Sequence, residues 1–529
     1  MIRIRDHQTA ELFDPWDHLG PKRRAMLERS WAGVFRKHLL RELPVREFAQ
    51  AFCAEQGRPS KDLYAVAGVL VLQQLHDLTD AATVEALAFN MAWHYALDIR
   101  DPSDVYICEW SLRNYRRIAV EGGLDEKLFC HLTDRLLHAF RVDTSRQRLD
   151  STSIRSAMRT LTRLGILVET LSKFLCELSR VHPGLYALVP EGTRKRYVER
   201  AGSDAFDLSK PSESRRRLPE AARDLWWVLQ QFRSTEAQRL ESYGLLKRVF
   251  EDHVEVVTTP DTEDAIQIRE PSEVSCESVQ NPSDPDASYN ARRGQGYRAQ
   301  VMETYCQSGE STAQTQPDLI THVSLTPMTR HDGQELGQAL DDLRERDVPL
   351  TEVVADSHYG AQGNLEEAHD KGVDVVAPVL TAKGRKQGKL TLEQFDVDTN
   401  GCVRACPKGA SPVRASRSTR KIEVSFRRAI CEGCEQLARC PVRLEGARAR
   451  MQYTAERVRI RIRRLQQESS EFKERYRWRA GIEATMSRLK HQMRLSYLRV
   501  RGRPSVKYAV FLRALGLNIC RCAATLQAA

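Results

Sequence analysis

Near the carboxyl end, the run Tyr476-Arg-Trp-Arg479-Ala-Gly-Ile-Glu483-Ala-Thr-Met-Ser-Arg-Leu-Lys490 sets one acid among several cations. At roughly 100° per residue, the spacings predict Tyr476, Arg479, Glu483 and Lys490 on one narrow stripe of a single helix. Ile482, Met486, Leu489 and Met493 recur on an adjacent stripe, so the helix can dock on a core while aiming Glu483 between two cations. The plain alternative is a basic surface helix with ordinary i,i+4 ion pairs. A second group with chemistry in it is a cysteine cluster. Cys431-Glu-Gly-Cys434 is a C-x2-C knuckle, Cys406-Pro-Lys-Gly is a knuckle-like turn, and Cys440-Pro closes the set. A tetrahedral structural Zn²⁺ site takes four thiolates, so Cys406, Cys431, Cys434 and Cys440 are the best quartet, with Cys402 as a spare. Unligated thiols are the other reading.

Taken together, Tyr-x2-Arg-x3-Glu-x6-Lys resembles the signature around the third carboxylate of bacterial insertion-sequence transposases of the DDE class. That resemblance calls for two aspartates upstream, and the chain supplies them. Asp150 lies in Gln147-Arg-Leu-Asp150-Ser-Thr-Ser, a short extended segment after a helical stretch. Asp356 ends the apolar strand of Thr351-Glu-Val-Val-Ala-Asp356-Ser-His-Tyr-Gly360, the place where parallel sheets expose reactive groups. DNA cleavage and strand transfer need charge stabilised on both the attacking and the leaving oxygen, which two divalent ions roughly 4 Å apart supply. Such hard ions, Mg²⁺ or Mn²⁺, favour carboxylate ligands. The resemblance implies that Asp150 bridges the ions while Asp356 and Glu483 each hold one side. It places Arg479 and Lys490 toward substrate phosphates and Tyr476 near the bound strand. His358 is either a proton shuttle, a phosphate contact or an exposed loop residue. Similar transposases carry a Cys-Pro-x-Gly segment, a C-x2-C pair and a further Cys in this interval, which supports the zinc quartet.

These groups need elements to carry them. From Phe48 to about Phe140 apolar residues recur at helical spacings, and Gly57-Arg-Pro-Ser60 predicts a turn with Ser60 as N-cap. Residues 1 to about 45 are polar with few periodic signals. The helical stretch resembles the N-terminal transposase domain associated with end-specific DNA binding; a purely structural bundle is the alternative. A helix-rich block over 155–257 follows the Asp150 segment, then an acidic, Pro- and Ser-rich linker over 258–290. Two strand-like runs, Gly296 to Tyr305 and Leu319 to Thr326, lead into a helix from Gln334, the strand ending at Asp356, a helix over Leu365 to Lys371 and a strand at Asp374 to Ala377. Alternation alone allows any mixed α/β sheet. The resemblance implies an RNase H-like catalytic core over 146–529 with that helical insertion and a Cys-rich insertion at 381–445, preceded by an all-α domain over 1–145.

The chain has 529 residues and a formal charge of +10. From Ser411 onward it holds 28 Lys and Arg against 9 Asp and Glu, so the remainder is net acidic. Such a basic stretch is a footprint for a polyanion, with a solvated charged face as the alternative. No apolar run near 18 residues and no signal sequence stand out, so a cytoplasmic, nucleoid-associated protein without membrane contact is expected. Thirteen cysteines, an odd number and mostly scattered, argue for reduced thiols. The resemblance implies a transposase that binds the terminal inverted repeats of its element as a homo-oligomer on double-stranded DNA, cleaves by metal-dependent attack of water and joins the 3′ ends to target DNA. The competing readings are a non-catalytic DNA-binding relative and a nuclease without strand transfer.

Overall fold

Residues 147–149, 152 and 154 are buried, and their side chains alternate to both faces, as befits a strand with neighbours on each side. In the computed structural model this strand, β1 (Arg146–Arg155), is the centre of the main sheet. The structure describes residues 2–7, 9, 14–52, 60–100, 104–199, 211–257, 265–307, 316–380, 388–418 and 421–528. On one side β1 runs antiparallel to β2 (Gly294–Thr304), with Asp150 opposite Val301. β2 in turn pairs antiparallel with β3 (Ile320–Pro327). On the other side β1 is parallel to β4 (Glu352–Ala355), Leu149 facing Ala355, and β4 is parallel to β5 (Asp374–Val376). The order across the sheet is therefore β3-β2-β1-β4-β5, with the short strand Ser288–Asn290 added beside the start of β2. Helices Leu336–Glu345 and Gln362–Asp370 make the crossovers that parallel strands require. This is the alternating order expected from the sequence, in a mixed helix and sheet fold.

One apolar core gathers residues from Trp16 to Ile154, from Ala287 to Ala377 and from Ile482 to Ala523. Its axis is the Arg503–Ala528 helix, which packs on the Leu63–Leu75 and Leu124–Ala139 helices and on β3. Asn518, fully buried in that helix, accepts from the Ile320 amide at 2.8 Å and donates to the Ile320 carbonyl at 2.8 Å. The N-terminal helices and the sheet thus share one interior. The helices between Arg163 and His253 build a second core around Leu171, Phe174 and Phe232. A third small core, from Leu392 to Tyr453, lies on a four-stranded antiparallel sheet of Arg414–Arg417, Ile422–Arg427, Arg448–Tyr453 and Arg443–Glu445.

Several local expectations change. The first 45 residues are not featureless: Trp16, Val34, Phe35 and Leu39 are buried from helical pieces too short to show a period. The residues Gly57 to Pro59 lie outside the described residues. The helix after them is capped by Asp62, not Ser60, whose side chain accepts from the Ala65 amide at 3.2 Å. In the segment read as a linker, 258–264 lie outside the described residues, while Ala265–Ile268 pairs with Val254–Val257. Asp284 there is fully buried and accepts from Ser156, Tyr297 and the Gly502 amide. The Arg503–Ala528 helix does contain an 18-residue window of mean hydropathy 1.4, long and apolar enough to cross a membrane. That window is 72% buried inside the protein, as a core helix is.

The core helix is locked by charge as well as packing. Arg513, only 5% exposed in its side chain, donates to Asp77 at 2.7 Å, and Arg499 meets the other oxygen at 2.9 Å. Asp77 holds a left-handed φ of 50°, which Asn also tolerates. Asp77→Asn should keep the turn yet leave Arg513 buried without its counter-charge, lowering the unfolding free energy by about 3 kcal/mol in urea titration. An unchanged midpoint would show that Gln74 and the Met493 carbonyl suffice for Arg513.

Candidate functional site

Asp150 sits mid-strand on β1, and Asp356 follows the last residue of β4. Because those two strands are parallel neighbours, both acids reach the same end of the sheet. Asp356 caps its own turn, accepting from the His358 amide at 2.8 Å. Glu483 is on the Gly481–Ser487 helix, which buries Ile482, Thr485 and Met486 and leaves Glu483 at the surface. Arg479 joins two of the acids. Its Nη2 donates to Asp150 Oδ2 at 2.8 Å and its Nη1 to Glu483 Oε1 at 3.0 Å.

The charges feel one another. Burial, together with Asp356 and Asp332, raises the Asp150 carboxyl above the ordinary range, although the Ser151 amide and Arg479 pull the other way. Tyr476 is half-buried beside the group and stacks on Phe472 with ring centroids 5.6 Å apart; burial and the Asp356, Asp150 and Glu483 charges raise its phenol despite Arg479. The structure therefore joins Asp150 and Glu483 through Arg479, with Asp356 and Tyr476 near enough for their charges to be felt. Lys490 has no ion pair with any of them among the described residues.

The single helical stripe is not what forms. Residues 470–476 are α-helical, Arg477–Ala480 is a 3-10 turn, Gly481–Ser487 is α-helical again, and Arg488–Gln492 opens into a π turn. The 3-10 turn coincides with Arg148 donating to the Trp478 carbonyl at 3.2 Å. The π turn takes Lys490 out of the regular helix on which the single stripe was expected.

Two acids that sequence reasoning did not place here matter to the site. Asp332, buried in the turn after β3, accepts from Arg298 at 2.7 Å and from Gln300 at 3.0 Å. Glu303 on β2 is fully buried against Arg148 and Arg521. The His331 and His358 rings face each other beside the Asp356 turn, 5.3 Å between centroids, both exposed. Neither carries a local signal: Asp332 lies in the polar run Arg330-His-Asp-Gly-Gln334, and Glu303 is one of several polar residues in Arg298-Ala-Gln-Val-Met-Glu-Thr304.

Among the cysteines, Cys406, Cys431, Cys434 and Cys440 line one cavity of about 260 Å³ with Phe395 and Phe426. The Cys406 sulfur accepts from the Ala410 amide at 3.3 Å, in a turn closed by Gly409 at φ +84°. Burial and the neighbouring thiols raise Cys431; burial and those neighbours also raise Cys440, against the Val442 amide that bonds it. Cys402 lies outside that cavity, its amide bonded to Asp398 at 2.8 Å. None of the described cysteines is joined in a disulfide. Among the described residues no three His, Cys, Asp or Glu side chains are set to hold a metal ion, at the acids or at the thiols.

Two segments of the chain match known families. Residues 405–523 match the model of a Transposase DDE domain, and residues 32–112 match that of a Transposase domain (DUF772). The first match spans the four clustered cysteines, Tyr476, Arg479, Glu483 and Lys490, but neither Asp150 nor Asp356. Together the two support an insertion-sequence transposase. No curated protein and no solved structure matches the chain.

Asp332 is held by two side chains, one of them a buried arginine, and so serves the sheet. Asp332→Ala should destabilise the protein by about 3–5 kcal/mol, because Arg298 loses its partner. A stability loss under about 1 kcal/mol in chemical denaturation would mean water replaces that partner readily.

Proposed function

We propose that this chain is a DDE transposase that binds the terminal inverted repeats of an insertion sequence, cuts DNA with a divalent metal ion and transfers the freed ends to target DNA. The observation that carries the reading is the meeting of Asp150 and Glu483 on one guanidinium, with the Asp356 charge felt at Asp150, and the sheet order β3-β2-β1-β4-β5 supports the RNase H-like core that the reading calls for. The two family matches support it from both ends of the chain.

Three carboxylates are the donor set a hard ion such as Mg²⁺ or Mn²⁺ takes, and the guanidinium of Arg479 shows that the site already draws a cation between two of them. Asp150, Asp356 and Glu483 would hold the ion, which when bound supplies an activated water and stabilises charge on the leaving oxygen. Arg479 must then release at least one carboxylate, which frees its donors for a DNA phosphate. Tyr476, half-buried, stacked on Phe472 and within the influence of the acids, would contact the bound strand. The reading needs no covalent intermediate on the protein. It assigns double-stranded DNA as partner and a homo-oligomer on that DNA as the working form.

For the cysteine cluster, soft sulfur donors in a single cavity, one of them accepting a backbone amide, are a set that suits Zn²⁺. Cys406, Cys431, Cys434 and Cys440 would hold it, and an ion there would reverse the mutual repulsion of the thiols.

Asp356→Asn removes one ligand while leaving the exposed basic surface intact. Mg²⁺-dependent cleavage of DNA carrying the element's ends should fall by about a thousandfold or more, the loss of several kcal/mol of charge stabilisation. Binding of that DNA should persist. Cleavage retained by the variant removes Asp356 from the site, and cleavage without joining in a strand-transfer assay favours the nuclease reading. For the cysteines, elemental analysis of the purified protein should find one zinc per chain, and Cys434→Ser should lower it and open residues 402–453 to proteolysis. Absence of zinc in the unmodified protein leaves the cluster as free thiols.

A further inference from the structure

Arg148 and Asp150 are two residues apart on β1, so their side chains leave the same face of the sheet. Arg148 is 6% exposed, and its guanidinium reaches three partners. Nε donates to Glu303 at 2.7 Å, Nη1 to the Trp478 carbonyl at 3.2 Å and Nη2 to Asp318 at 3.1 Å. Glu303 is 0% exposed. Its second oxygen accepts from the Thr485 hydroxyl at 2.6 Å and from Arg521 of the C-terminal helix at 2.8 Å. Arg521 also donates to the Thr485 hydroxyl and to the Asp318 carbonyl. The chain is thus held to one buried charge cluster five residues before Glu483, at Trp478, and two residues after it, at Thr485.

Gly481 lies between those two anchors. A Cβ there would come within 1.9 Å of Arg148 Nη1, so the side chain of Arg148 passes directly under the start of the Glu483 helix. The φ of Gly481 is −62°, ordinary for any residue, so the glycine answers a need for space and not for backbone freedom. The direct link between the acids is weaker. The Glu483 side chain is 68% exposed, and a pair with Arg479 so open to water contributes little to holding a helix in place.

We propose that the cluster of Arg148, Glu303, Arg521 and Thr485 is the device that sets Glu483 against Asp150, these four acting as positioning residues that touch neither substrate nor ion. What that placement is for rests on the transposase reading; the placement itself does not. Fixing three segments to one desolvated carboxylate gives the helix a single seating, whereas apolar packing of Ile482 and Met486 alone would tolerate sliding along the strand.

The test uses the full chain with Thr485→Val, which keeps the shape and loses the hydroxyl, Thr485→Ser, which restores it, and Gly481→Ala, which displaces Arg148. Hydrogen exchange over residues 477–490 is followed beside single-turnover cleavage of DNA carrying the element's ends in Mg²⁺. In Thr485→Val, exchange there should rise about ten- to a hundredfold, the worth of a hydrogen bond to a charged group. Cleavage should fall about a hundredfold, the effect of a roughly 1 Å misplacement, with DNA affinity unchanged. Thr485→Ser should recover both, and Gly481→Ala should mimic the valine variant; if the alanine variant does not fold, the two Thr485 variants decide. Unchanged exchange in Thr485→Val overturns the proposal, and so does raised exchange with cleavage at the unmodified rate. If the unmodified chain cleaves no DNA with Mg²⁺ or Mn²⁺, the transposase reading falls, and exchange alone then decides whether the cluster seats the helix.

Discussion

A carboxylate with no exposure to water is the constraint around which this protein is arranged. Removing a carboxylate such as Glu303 from solvent costs several kcal/mol unless its oxygens are partnered, and Arg148, Arg521 and Thr485 supply those partners. Those partners come from the central strand, the C-terminal helix and the Glu483 helix. Segments more than three hundred residues apart in sequence, such as Arg148 and Thr485, are therefore made mutually dependent. Apolar packing along the Arg503–Ala528 helix supplies the bulk of the driving force, since burial is non-directional and scales with area. The charge cluster supplies register.

The acids at the surface of the sheet follow a different rule. Asp150, Asp356 and Glu483 cannot gather without repelling, and burial already disfavours the charged form of Asp150. Arg479 offsets that repulsion with two hydrogen bonds, while its own Nε stays buried without a partner. On the proposed reading, guanidinium and divalent ion compete for the same oxygens, so the free protein holds its acids close without needing the ion to assemble them. Rigid support from behind and an exchangeable cation in front are complementary: the cluster under Gly481 keeps the helix still while Arg479 changes partners.

The main sheet was legible in part because β4 and β5 are short, mostly apolar runs bounded by turn residues, and the alternation of strand and helix from Gly294 to Val376 shows in the residues. The Arg479 to Glu483 spacing was legible too, since an i,i+4 pair depends only on local helix geometry. Three things were hidden. The helix that was to carry Lys490 changes to a π turn at Arg488–Gln492, which the apolar spacing does not reveal. Asp62 displaces Ser60 as a cap because its carboxylate is also wanted by His7 and by the Arg5 amide. Glu303 reads in sequence as one polar residue in a strand, and nothing local reveals that two arginines from distant segments converge on it.

The same convergence changes the meaning of the charge asymmetry. Counted along the chain, the excess of arginine after Ser411 is a footprint for a polyanion; in the fold much of it is spent within the protein. Arg464 meets Glu393, Arg475 meets Glu352 and Asp374, Arg479 meets Asp150, Arg499 and Arg513 meet Asp77, and Arg521 meets Glu303. Arg461 and Arg463 are turned onto backbone carbonyls. Every one of those carboxylates lies before Ser411, so the acidic front and the basic end are in large part counter-charges of one another. Cations such as Arg457, Arg459 and Arg488, which the fold leaves exposed, are the ones able to meet a DNA backbone without first giving up an internal acid. The number of cations along a chain is thus an upper bound on the phosphates it can neutralise, and those paired inside the fold are already in use.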